Sequence, residues 1–103
     1  MILLSCKSTK MSSYLDESLI EASRRNDLPA VKYLLSLGAD IHTEDDYPLR
    51  VAAGEGHLEM VKFLVENGAT VARKGYSTAP FLATIGGHRD VVRYLKKVTR
   101  RRG

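Results

Sequence analysis

The 103-residue sequence has no tryptophan, a single cysteine, two phenylalanines and three prolines. With only Cys6, an intramolecular disulfide is excluded, a reducing compartment suits the chain, and no neighbouring group activates the thiol. No apolar run approaches the roughly 20 residues that a membrane helix needs. The opening Met1-Ile2-Leu3-Leu4 lacks a basic flank and falls short of the roughly 7–15 apolar residues of a secretory leader. A soluble, intracellular chain with no membrane partner is expected, cytoplasmic or nuclear. Residues 1–13 read as a flexible arm, within which Met11 is a second candidate start.

Chemistry-bearing clusters are equally scarce. Three histidines (His42, His57, His88) and one cysteine give no ligand spacing for zinc, so no metal and no cofactor is expected. Gly54-Glu55-Gly56 has the look of a phosphate loop but follows a helical pattern rather than a strand. The paired acids Asp45-Asp46 sit in a polar connection where solvent keeps both ionised, and no nucleophile–base pair can be assembled. An enzyme is not expected.

The chain does have charge asymmetry and internal repetition. From Gly86 onward there are seven Lys/Arg and one acid, net +6 of an overall +4, so the remainder is net −2. The segments ASRRNDLPAVKYLLSLGADI, AAGEGHLEMVKFLVENGATV and ATIGGHRDVVRYLKKV align at offsets of 30 and 31 residues. Val31/Val61/Val92, Tyr33/Phe63/Tyr94 and Leu34/Leu64/Leu95 then fall in equivalent positions.

Each unit reads as a pair of helices. In the middle copy Pro48 suits a first helical turn, and Leu49, Ala52 and Ala53 form a short apolar face. Leu58, Val61, Leu64 and Val65 keep 3.6-residue spacing along a second helix. Asn26, Gly56 and Gly87 suit the positive φ of a turn, and Gly38 and Gly68 suit the stop of the second helix. Asp27, His57 and His88 follow as N-cap acceptors or as residues bridging the turn. Residues 39–47 and 69–78 read as extended fingers with tight turns. The spacing also requires Val31, Val61 and Val92 to form one interior row.

The segment YPLRVAAGEGHLEMVKFLVENGATV resembles the ankyrin repeat, over roughly residues 16–98. Its shortened units with an Asp-Asp-Tyr-x-Leu-Arg start are similar to ankyrin proteins of giant DNA viruses. The resemblance implies an all-α solenoid of about three repeats (16–46, 47–76, 77–98 within a 14–98 domain) with short β-hairpin fingers, followed by a basic tail at 99–103. The period is below the usual 33 or so, Tyr47 and Arg50 stand where the family has Thr and His, and the third copy is irregular at residues 78–83.

The resemblance also implies a non-catalytic, monomeric protein-interaction module. Its groove would carry Arg24, Arg25 and Glu55; its fingers Glu44, Asp45, Asp46 and Tyr47, then Arg73, Lys74, Tyr76 and Ser77. Tyr and Arg suit hot spots, and loop tips on a rigid stack suit recognition. The alternative is nucleic-acid binding or nuclear targeting through Arg93, Lys96, Lys97, Arg100, Arg101 and Arg102, against the plainer role of a polar last face.

Overall fold

The repeat period is visible first in the turns. Asp27 N–H donates to the Ala22 carbonyl, His57 N–H to Ala52 and His88 N–H to Ala83, at 2.9–3.0 Å. In each case the preceding residue takes positive φ: Asn26 at 60°, Gly56 at 80° and Gly87 at 75°. The second helices stop the same way, with Gly38 and Gly68 at φ 106° and 105°. Ala39 and Ala69 N–H return to the Leu34 and Leu64 carbonyls. These six-to-one closures satisfy carbonyls that a helix end would otherwise leave unpaired.

In this computed structural model residues 14–71 and 78–102 are described, the last three by backbone alone. Helix α1 occupies residues 14–24, followed by α2 (Leu28–Ser36), α3 (Thr43–Glu55), α4 (Leu58–Glu66), α5 (Ala79–Ile85) and α6 (Arg89–Arg102). First helices pack on first helices (α3 on α5) and second on second (α4 on α6), while α3–α4 and α5–α6 pair within their units. The result is an all-α repeat stack, 49 Å long and 25 Å across.

The apolar period decides what is buried. Leu49, Ala52 and Ala53 are fully buried, as are Val61 and Leu64, with Val65 nearly so. Val31 and Val61 lie at 0% exposure and continue the expected row, but Val92 is only half-buried while its neighbour Val91 is fully buried. Counted by the 31-residue offset, Val91 matches Met60 and Leu95 matches Leu64, all four at 0%. Those positions face the preceding unit. Val61 faces the following one, and Val92, its counterpart, has no described unit beyond it.

The β-hairpin fingers are not seen: among the described residues there is no strand. The offsets of 30 and 31 fall short of the usual ankyrin period of about 33, and the first connection makes a turn in place of the expected hairpin. Asp40 instead accepts the His42 N–H on its own carboxylate (2.9 Å), making a side-chain-closed turn. Glu44, Asp45 and Asp46 then form a left-handed turn at φ 53°, 58° and 60°, before the right-handed part of α3 over residues 47–55. Such backbone costs about 1–2 kcal/mol per residue, and Arg50 offsets it by donating to the Glu44 and Asp45 carbonyls at 2.7 and 3.1 Å. Residues 72–77 of the second finger lie outside the described residues.

Asp46 anchors that turn twice, accepting from His42 Nδ1 at 2.7 Å and from the Thr70 backbone N–H at 3.0 Å. Asp16 holds the Asp40 N–H at 2.8 Å one period earlier. Asp46→Ala is expected to cost about 1–2 kcal/mol, as charged acceptors of backbone N–H groups do, and Asp16→Ala less. Urea midpoints measure both; equal losses would show that His42 contributes nothing.

Candidate functional site: the row of first-helix ends

The ends of α1, α3 and α5 present equivalent residues side by side: Arg24 and Arg25, Gly54 and Glu55, Ile85 and Gly86. They are tied across repeats by histidine. His57 Nε2–H donates to the Arg24 carbonyl at 2.8 Å, and His88 Nε2–H to the Gly54 carbonyl at 3.0 Å. Because a carbonyl only accepts, Nε2 carries the proton in both. The N-cap role holds for Asp27, which accepts the Ala30 N–H, whereas His57 makes no side-chain cap bond at its own helix.

His88 is held by absence of side chains. A Cβ on Gly56 would lie 2.4 Å from its Nδ1, and one on Gly86 2.7 Å from its Nε2. The Gly54-Glu55-Gly56 run that resembles a phosphate loop is thus a bed for an imidazole.

Between α3 and α5 opens a groove of about 410 Å³ lined in part by Tyr47, Arg50, Glu55, Leu82 and Ile85. The Arg50 guanidinium sits 4.9 Å from the centre of the Tyr47 ring, within cation–π range. Ile85 is 66% exposed and Phe81 37% beside it. Surface apolar residues on consecutive turns of one short helix serve no core. The sequence places Ile85 in this row, at the position of Arg24 and Gly54, but gives no signal for Arg50 or Phe81 as part of the candidate site.

Of the expected residues, Arg25 and Glu55 are exposed in the row, and Arg24 pairs with Glu21. Glu44 and Asp45 are exposed at the left-handed turn, whereas the Asp46 carboxylate is used within the fold. Arg73, Lys74, Tyr76 and Ser77 lie outside the described residues. Arg93, Lys96 and Lys97 are exposed on α6, whose helical backbone runs on past residue 99; the side chains of Arg100, Arg101 and Arg102 lie outside the description.

No His/Cys/Asp/Glu group suited to a metal occurs among the described residues, and none of their helices is long and apolar enough to cross a membrane. The outer face carries a second period: Lys32 lies 5.6 Å from the Phe63 ring centre, and Lys62 5.9 Å from that of Tyr94.

The family model for ankyrin repeats (3 copies) matches residues 19–101. The chain belongs to the ankyrin-repeat family. It is 58% identical over 36 residues to putative ankyrin repeat protein L25 of Acanthamoeba polyphaga mimivirus, covering 35% of this chain and 11% of that protein. It is also 36% identical over 86 residues to the E3 ubiquitin-protein ligase XBAT33 of Arabidopsis thaliana, 77% of this chain and 17% of the ligase. An ankyrin repeat and KH domain-containing protein of Caenorhabditis briggsae matches at 32% over 80 residues, 78% of this chain and 3% of that protein. The ankyrin chain thus spans less than a fifth of each of these relatives. Ankyrin repeats are generally non-catalytic protein–protein interaction modules.

Proposed function

We propose that this ankyrin stack is a non-catalytic module that grips one protein partner through the row of first-helix ends and the adjoining turns. The observation that carries the reading is exposed Ile85 in one open groove with the Arg50–Tyr47 stack, with part-exposed Phe81 one turn before it on α5. An apolar anchor next to Tyr and Arg is the composition of an interface hot spot. Arg25, Glu55, Glu44 and Asp45 would form its charged rim, together with Arg73, Lys74, Tyr76 and Ser77 on the second connection. An intracellular setting belongs to the same reading.

The test is quantitative binding to whichever protein the wild-type chain captures. Ile85→Asp is expected to weaken it roughly tenfold or more, and Asp45→Lys to act chiefly on the association rate. Circular dichroism checks that both variants stay folded. Unchanged affinity in both removes the groove assignment.

A second reading, nucleic-acid binding, is favoured by one observation: Arg89, Arg93 and Lys96 fall on one stripe of α6 at i, i+4 and i+7. It requires binding that falls steeply with salt and is lost with residues 99–103.

A further inference from the structure

The two ends of the described stack carry faces equivalent to the two halves of one internal joint, and we infer that a second copy of this chain docks head-to-tail across them. Inside the stack each joint sets a following-side face against a preceding-side face. At the C-terminal end the following-side face is open, as a groove of about 560 Å³ around Val92, Arg93 and Lys96. At the N-terminal end the preceding-side face is open, as a groove of about 390 Å³ around Ala30 and Leu34. Val92 is the counterpart of fully buried Val61, and Leu34 the counterpart of fully buried Leu64; both are left half-covered.

Two further features pair the faces. The C-terminal groove is rimmed by Arg89, Arg93 and Lys96, and the N-terminal one by Glu17, Glu21 and Asp27, against Arg25 in the lining and Arg24 paired with Glu21, which leaves that face net acidic by one charge. The lysine–ring ladder also breaks off at complementary points. Among the described residues, Tyr33 begins the aromatic row, 64% exposed and without a lysine over it, and Arg93 ends the cation row with no ring after it. Setting one copy after another puts Arg93 over Tyr33 of the next, as Lys62 lies over Tyr94.

One tie is missing. At the position of His57 and His88 the incoming copy offers Asp27, which cannot donate to the Ile85 carbonyl. The contact is therefore weaker than the internal joint, and the chain is monomeric when dilute. A head-to-tail contact leaves one face of each kind open at the dimer, so growth past the dimer, into a ring or a filament, is its signature.

Sedimentation velocity from low micromolar to about 1 mM protein tests this. The wild-type mass is expected to rise with concentration beyond a dimer and to fall back with added salt. Glu17→Lys with Glu21→Lys blocks the N-terminal face and should stay monomeric. Arg89→Ala with Arg93→Ala weakens the C-terminal face. An equimolar mixture of the two, each retaining one native face, should stop at a heterodimer, which also shows that both are folded. A wild-type chain that stays monomeric throughout overturns the inference. So does association that persists unchanged in either variant alone, which indicates a two-fold contact. Association that appears only after residues 1–13 are removed overturns it as well, by showing that the chain's own segment covers the face.

Discussion

Leu64→Ala is expected to remove about 2–5 kcal/mol of stability, the range for a leucine truncated inside a close-packed core. Leu64 is fully buried on α4, in the unit with neighbours on both sides. No partner can move in without breaking the 31-residue register that sets α4 against α6. The loss is large against the whole, since a domain of this size has about 5–15 kcal/mol in total, and three repeats are the minimum for a stable stack. Chemical denaturation followed by circular dichroism measures it, with the exposed Lys97→Ala as a control expected within about 0.5 kcal/mol. The same experiment on Leu34→Ala, the half-buried counterpart in the first unit, should give a clearly smaller loss. If Leu34 and Leu64 cost the same, the open preceding-side face described above is already covered.

That contrast marks where the sequence was readable. Turn chemistry was legible because each glycine or asparagine at positive φ stands alone in meaning: Asn26, Gly38, Gly56, Gly68 and Gly87 all adopt the backbone their type predicts. Helix faces were legible from their period, and the repeat multiplied the signal threefold. The interior row keeps its register in its last unit, but there Val92 is left half-buried. Val91 and Val92 are adjacent and identical, and only the neighbour beyond them distinguishes the covered valine from the open one.

The fingers were illegible for a different reason. Alternating Ile41 and polar neighbours suggest an extended chain, but pattern alone does not reveal the turn that the connection makes instead. Three consecutive acidic residues in a left-handed turn is a conformation no propensity favours. It exists because Arg50, four residues beyond Asp46, closes it from the helix that follows. Arg50 stood out in the sequence only as a departure from the family's histidine. In the structure it has taken over the connection and the Tyr47 ring together, linking the shortened turn to the proposed groove.

The histidine bed yields the second large effect. Gly56→Ala is expected to cost about 2–5 kcal/mol, from two separable sources. Alanine at φ 80° carries the left-handed penalty of about 1–2 kcal/mol. Its methyl would also stand 2.4 Å from His88 Nδ1, so the ring must leave, and with it the bond to the Gly54 carbonyl. Crowding of this kind in a packed site costs about 1–3 kcal/mol. A double-mutant cycle separates the two. In a His88→Ala background the methyl meets no ring, so Gly56→Ala should there cost only its backbone penalty. The coupling between the two positions is then the crowding component, about 1–3 kcal/mol, well above the ~0.5 kcal/mol scatter of independent sites. Additive losses would mean that the imidazole does not rest on Gly56, and that the tie between the second and third repeats is made by the helices alone.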